Sequence, residues 1–299
     1  MSGILQPFFM YTNDGGVAGE YGLFGGGENS GGALVNTTQK YKYLSNIVSS
    51  GTVLGLARSF LAATGNSTVG IFGGGYTGFG TTYTDKYTYS GDTRVAGTVL
   101  GLARSFLAAT GNSTVGIFGG GYTGTTYTDK YTYSGDTRVA GTLLGLARFG
   151  LAATGNSTVG IFGGGYSGTY SNYTDKYTYS GDTRAAGTVL GLARYSLAAT
   201  GNSTVGIFGG GYTGTGTAYT DKYTYSGDTR VAGTLLGLAR YSLAATGNST
   251  VGIFGGGYTG TYSNYTDKYT YSGDTRAAGT VLSTALYSLA ACSATANGL

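Results

Sequence analysis

The chain has 299 residues, 10% of them charged, with a net charge of +4, no His and a single Cys, Cys292. This composition excludes a disulfide scaffold, His-based acid–base catalysis and the usual zinc or copper sites, and charge this diffuse leaves no nucleic-acid footprint. With 60 Gly, 29 Tyr, one Pro and 40% apolar residues, the chain favours tightly turned β-structure around a packed core over helix or disorder.

Residues 1–13 have no basic stretch and no apolar run of signal-peptide length. Their Phe8, Phe9 and Met10 point to an N-terminal arm that anchors to another subunit. Residues 14–299 are expected to form one domain. From Arg58 the block Arg-Ser-Phe-Leu-Ala-Ala-Thr-Gly-Asn-Ser-Thr-Val-Gly-Ile-Phe-Gly-Gly-Gly-Tyr recurs in near-identical form at Arg104, Arg148, Arg194 and Arg240, a period of 46 residues with one copy of 44. Self-similarity of this length marks a propeller or solenoid, whose units bury their apolar faces against their neighbours. The uncharged stretch 59–84 is Gly-rich and cut by turn residues, so no membrane-spanning helix is expected.

Within one unit, residues 59–64 predict a strand A closed by the turn Gly65-Asn66-Ser67. Residues 69–75 predict strand B, and 84–90 strand C, with Tyr87 and Tyr89 on one face and Lys86 and Thr88 on the other. After the turn Gly91-Asp92-Thr93, residues 95–100 predict strand D. Four short strands with short connections meander antiparallel and make one propeller blade. The small pair Ala62-Ala63, repeated at 108–109, 152–153, 198–199 and 244–245, places strand A at the crowded axis.

Six Phe-Gly-Gly-Gly motifs, beginning at Phe24, Phe72, Phe118, Phe162, Phe208 and Phe254, predict six blades. Strand A has seven candidates, because residues 286–292 repeat its pattern and residues 7–13 precede the first strand B. The C-terminal segment keeps Ala290-Ala291 where the N-terminal one has Phe9, Met10 and Tyr11. It is therefore expected to close the ring against residues 21–26. Cys292, within it, reads as a small buried hydrophobe.

An Arg before a small-residue strand, an apolar strand ending in Phe-Gly-Gly-Gly and a Tyr-bearing strand together resemble the kelch repeat, a four-stranded propeller blade. The kelch Trp of strand D is replaced by the Leu of Gly-Thr-Val-Leu. The wording Gly-Asn-Ser-Thr-Val-Gly-Ile-Phe-Gly-Gly-Gly, followed by Thr-Asp-Lys-Tyr-Thr-Tyr-Ser-Gly-Asp-Thr, resembles repeats in virion and tail-fibre proteins of tailed phages, including those that infect cyanobacteria. The resemblance covers about residues 20–292. It implies an all-β, closed, six-bladed kelch-like propeller in the virion, structural or fibre-associated, docking onto other virion subunits. A receptor- or glycan-binding adhesion module is the alternative.

In a meander the B–C loops and D–A connections share one face of the disc. That face is expected to collect Arg58, Arg104, Arg148, Arg194 and Arg240, with Tyr76, Phe79, Tyr122, Tyr166, Tyr170, Tyr212, Tyr258 and Tyr262 on its loops. The loops also vary in length: six residues at 122–127, eight at 166–173 and nine at 28–36. Variation gathered on one face is where repeat proteins bind, and Tyr beside Arg suits sugars or anionic polysaccharide. The competing reading has the arginines bonding carbonyls near the axis and the tyrosines capping blade edges. Gly73, Gly75 and Gly78 match a dinucleotide-type spacing, but no helix follows, so no cofactor is expected. Asn66-Ser67-Thr68 matches a glycosylation acceptor but serves as a turn. Asp85-Lys86 and Asp92 with Arg94 read as solvated edges. Six-bladed sialidases work without His. Here Asp, Arg and Tyr recur without a unique cluster and no Trp-containing Asp-box is present, so no catalysis is expected.

Overall fold

In the second repeat the four strands are Ala62–Gly65 (A), Val69–Gly73 (B), Thr84–Thr88 (C) and Thr93–Ala96 (D), paired antiparallel in chain order. The A–B reversal is built by Asn66, whose Oδ1 accepts from the backbone N–H of Thr68 and Val69 at 2.9 and 3.0 Å. Its Nδ2 donates to the carbonyl of Ser113 in the next repeat at 3.0 Å. At the C–D reversal Asp92 adopts φ 48°, a left-handed conformation that Asp tolerates. Strand A is shorter than expected at its start, because Phe60 has φ 52° and turns the chain out of the sheet. Strand D ends early, because beyond Gly97 the chain reaches across to the next repeat, where Thr98 N–H donates to Tyr131 Oη at 3.2 Å.

The protein is described by a computed structural model covering residues 20–122 and 124–294, and no helix occurs among them. Six such four-stranded sheets are present. We number the blades in chain order, blade 2 being the one above and blades 3 to 6 the four that follow it. In blade 1, strands B, C and D are Tyr21–Gly25, Thr38–Lys42 and Ile47–Gly51, and strand A is Ala290–Ser293. Leu23 lies opposite Cys292 and Phe24 opposite Ala291. The C-terminal strand thus closes the ring as its Ala pair required. The expected arm, residues 1–13, lies outside the described residues.

The core lies between blades. Ala62 and Ile71 of blade 2 pack with Phe118, Tyr131 and Tyr133 of blade 3, and equivalent clusters fill the other joints. Phe118 lies so close over Gly73 that a Cβ there would sit 2.7 Å from the ring. Gly74 and Gly75 adopt φ 65° and 112°. The Phe-Gly-Gly-Gly motif therefore needs its first Gly for space and its other two for left-handed backbone.

Five of the six joints are also tied by a phenol. Tyr133 Oη bonds Thr64 Oγ1 of the preceding blade at 3.0 Å, and Tyr179–Thr110, Tyr225–Thr154, Tyr271–Thr200 and Tyr43–Thr246 repeat this at 2.9–3.0 Å. At the sixth joint Cys292 replaces the Thr and is buried beside Tyr89. Burial pushes all six phenols above their ordinary pKa of 10.0. A phenol whose pKa is raised by folding contributes its full stability below pH 10 and loses it as pH rises towards the folded value. The propeller is therefore expected to unfold cooperatively above about pH 10, with these phenols ionising as the sheet signal disappears. Phenolate absorbance followed against circular dichroism tests this. Full ionisation of the tyrosines with the sheet signal intact would refute it.

Candidate functional site

The five repeated arginines lie inside the blades. Arg58 has no solvent exposure, nor has Asp85 on strand C, and Arg58 Nη1 lies 2.7 Å from Asp85 Oδ2. Its other donors reach the carbonyls of Gly74, Phe72 and Leu56 at 2.8, 3.1 and 3.1 Å, and its guanidinium sits 5.3 Å from the Tyr83 ring centroid. Asp85 Oδ1 accepts from Gly55 N–H at 2.8 Å and faces Arg94 at 3.4 Å. Arg104–Asp129, Arg148–Asp175, Arg194–Asp221 and Arg240–Asp267 repeat the pair. Desolvation lowers each guanidinium's pKa and the Asp opposes it. No guanidinium surface is left for an anionic ligand, so the carbonyl-bonding reading of the arginines describes their positions. Asp85, expected at a solvated edge, is likewise a buried clamp residue.

Blade 1 lacks this clamp entirely. Leu286, Gln39 and Val48 occupy the places of Arg240, Asp267 and Arg276. Gln39 Oε1 accepts from the N–H and Oγ of Ser283 at 2.6 and 2.7 Å, as Asp267 Oδ1 accepts from Gly237 N–H at 2.8 Å.

Two residues after each arginine, and after Leu286 in blade 1, the chain turns at the axis. Phe60, Phe106, Gly150, Ser196, Ser242 and Ser288 have φ between 52° and 64°. Each donates its N–H to the carbonyl of the corresponding residue in the preceding blade, at 2.6–2.9 Å, closing a ring of six backbone hydrogen bonds. These residues line an open axial cavity of about 70 Å³. The following leucine of every blade, Leu61 to Leu289, lines it too, and the rest of the lining is two-sided: Phe60 and Phe106 stack at 3.6 Å, whereas Ser196, Ser242 and Ser288 stand across from them. The Ser242 and Ser288 hydroxyls have no partner.

Aromatic rings form a crown around this mouth. Ring contacts run from Phe60 and Phe106 to Phe149 and Tyr195, then through Tyr212 to Tyr241, Tyr287 and back to Phe60, with centroids 3.6–6.3 Å apart. Of the loop residues expected to bind, Tyr122 and Tyr166 contact Phe149, Tyr170 stacks on Tyr195 at 5.8 Å, and Tyr258 contacts Tyr241. Tyr262 contacts Tyr258 and Tyr287. Tyr76 and Phe79, 41% and 84% exposed, stand on the blade 2 loop and enter none of these ring contacts. Sequence reasoning missed Phe149, Tyr195, Tyr241, Tyr287 and the axial serines, having placed them inside strand A. The available signal was that every copy has one aromatic residue at either the first or the second position after the arginine, in the pairs Ser-Phe, Phe-Gly or Tyr-Ser.

Among the described residues no cluster of His, Cys, Asp or Glu suits a metal ion, and no helix is long and apolar enough to cross a membrane. No protein family matches this chain, and no curated protein matches it.

Removing one member of a buried ion pair strands the other charge, at about 3–5 kcal/mol. Arg148→Leu is therefore expected to destabilise strongly. Adding Asp175→Gln and Arg184→Val, which transplants the blade 1 set into blade 4, is expected to restore most of the loss. Denaturant unfolding of the single and triple variants tests this. A triple variant as unstable as the single one would show that the clamp is needed in itself.

Proposed function

We propose that this protein is a non-enzymatic attachment module that takes a saccharide unit into the axial crown. The observation that carries this reading is the closed aromatic crown around an axial cavity lined by leucines, by Phe60 and Phe106 on one side and by serines on the other. A pyranose has apolar C–H faces that lie on aromatic rings and hydroxyls that need polar partners, and the Tyr residues of the crown carry both a ring face and a hydroxyl. The crown's rings are held by mutual contacts, which lowers the entropy cost of binding. Absence of catalysis is part of the proposal. The repeated Asp residues of strand C are consumed in buried clamps and those of the C–D turn in backbone reversals. Glu28 is the one carboxylate that touches the crown among the described residues, whereas glycoside hydrolysis ordinarily needs two.

The wording of the repeats supports a second, compatible reading: divergent kelch-type blades in a tail or fibre protein of a tailed phage, docking onto other virion subunits. An attachment module at a fibre tip would satisfy both.

Glycan-array binding followed by titration tests the proposal. Tyr241→Ala and Tyr170→Ala are expected to weaken saturable glycan binding about tenfold or more while the melting temperature changes little. Asn156→Ala, on the opposite face, is expected to leave affinity unchanged. Absence of saturable binding to any glycan, with stable association to particle proteins, would leave docking as the function.

A further inference from the structure

The crown is not uniform. Where blades 2 to 6 carry Tyr76, Tyr122, Tyr166, Tyr212 and Tyr258, blade 1 carries Glu28. Backbone pairing of Glu28 with Tyr287 and of Asn29 with Leu286 fixes its place at the mouth, and Tyr262 Oη donates to Glu28 Oε1. No Lys or Arg among the described residues pairs with this carboxylate.

Around it, Tyr258, Tyr262 and Tyr287 make three ring pairs. Their centroids are 5.8, 6.0 and 5.8 Å apart and their planes cross at 82°, 72° and 74°. A cation seated against three mutually steep rings with this spacing lies within about 6 Å of every centroid. The same chain supplies a control. The equivalent rings between blades 4 and 5 are Tyr166, Tyr170 and Tyr195, where Tyr170 and Tyr195 are nearly parallel at 8°, and Tyr212 stands where Glu28 would be.

We propose that Glu28, Tyr258, Tyr262 and Tyr287 form a subsite for an alkylammonium group, carried as a cationic substituent on the glycan that the crown binds. Ring quadrupoles attract the cation's alkyl shell and the carboxylate neutralises its charge. This rests on the reading of the crown as the ligand site.

Tetramethylammonium chloride, with sodium chloride at equal ionic strength as control, is the probe, followed through the Tyr ring resonances of the full chain. Saturable shifts are expected in the wild type. Glu28→Gln, which keeps an acceptor for Tyr262 and therefore the fold, is expected to weaken them about threefold to tenfold, and Asn156→Ala, on the opposite face, to leave them unchanged. No saturable shift, or a Glu28→Gln variant that binds like wild type, would overturn the subsite. Neutral glycan binding that depends on Tyr241 but survives Glu28→Gln would then show that only the subsite had failed. Loss of both kinds of binding in the wild type would remove the attachment reading as well.

Discussion

A guanidinium without solvent exposure must have its charge answered inside the protein, and this requirement organises five of the six blades. Arg58 draws together the incoming connection through Leu56, the end of strand B through Phe72 and Gly74, and strand C through Asp85. Asp85 in turn holds Gly55. One pair thus fixes the angle at which the chain enters a blade. Blade 1 solves the same problem without charge. Leu286, Gln39 and Val48 replace all three members of the network together, so no lone charge is buried at the joint between the two ends of the chain. That joint forms from segments far apart in sequence and carries the largest loop-closure cost. A neutral network there avoids a mispaired buried ion while the ends are still apart.

Inside this frame, symmetry is kept in the packed joints between blades, the Cys292 joint apart, and relaxed at the axial mouth. The Phe over Gly contact and the Tyr–Thr bond recur at successive joints because a packed interior has one solution for a given backbone. At the axial mouth the constraint is only on backbone: six left-handed residues must close a hydrogen-bonded ring. Phe, Gly and Ser all occupy that position, and the aromatic side chain moves between neighbouring positions. The crown therefore varies on a fixed ring, as a binding surface on a rigid scaffold does.

Period, turn residues and small strand A residues made the blade count, the meander and the C-terminal closure legible, because each follows from local chemistry repeated six times. The clamp was not legible. Asp85 lies 27 residues from Arg58 and beside Lys86, so it resembles an exposed charge pair until strand register places it opposite the arginine's entry. The axial turn was hidden for another reason: Phe rarely adopts φ near 52°, so Ser59-Phe60-Leu61 resembles the start of a strand. Only the copy with Gly150 in that place carries the conformational requirement in its residue type.

The carboxylate at the mouth arises where the repeats end. Glu28 comes from the first B–C loop and Tyr287 from the closing segment, and they meet because both ends of the chain are spent on the same blade. A tandem array of identical units offers identical positions, and a discriminating site needs a place that differs. In a closed ring the seam supplies it without disturbing any regular joint. Because Glu28 and Tyr287 are juxtaposed only when the ring is shut, a ligand held between them binds the closed form alone and stabilises the seam by mass action. Recognition and closure are then two readings of one contact.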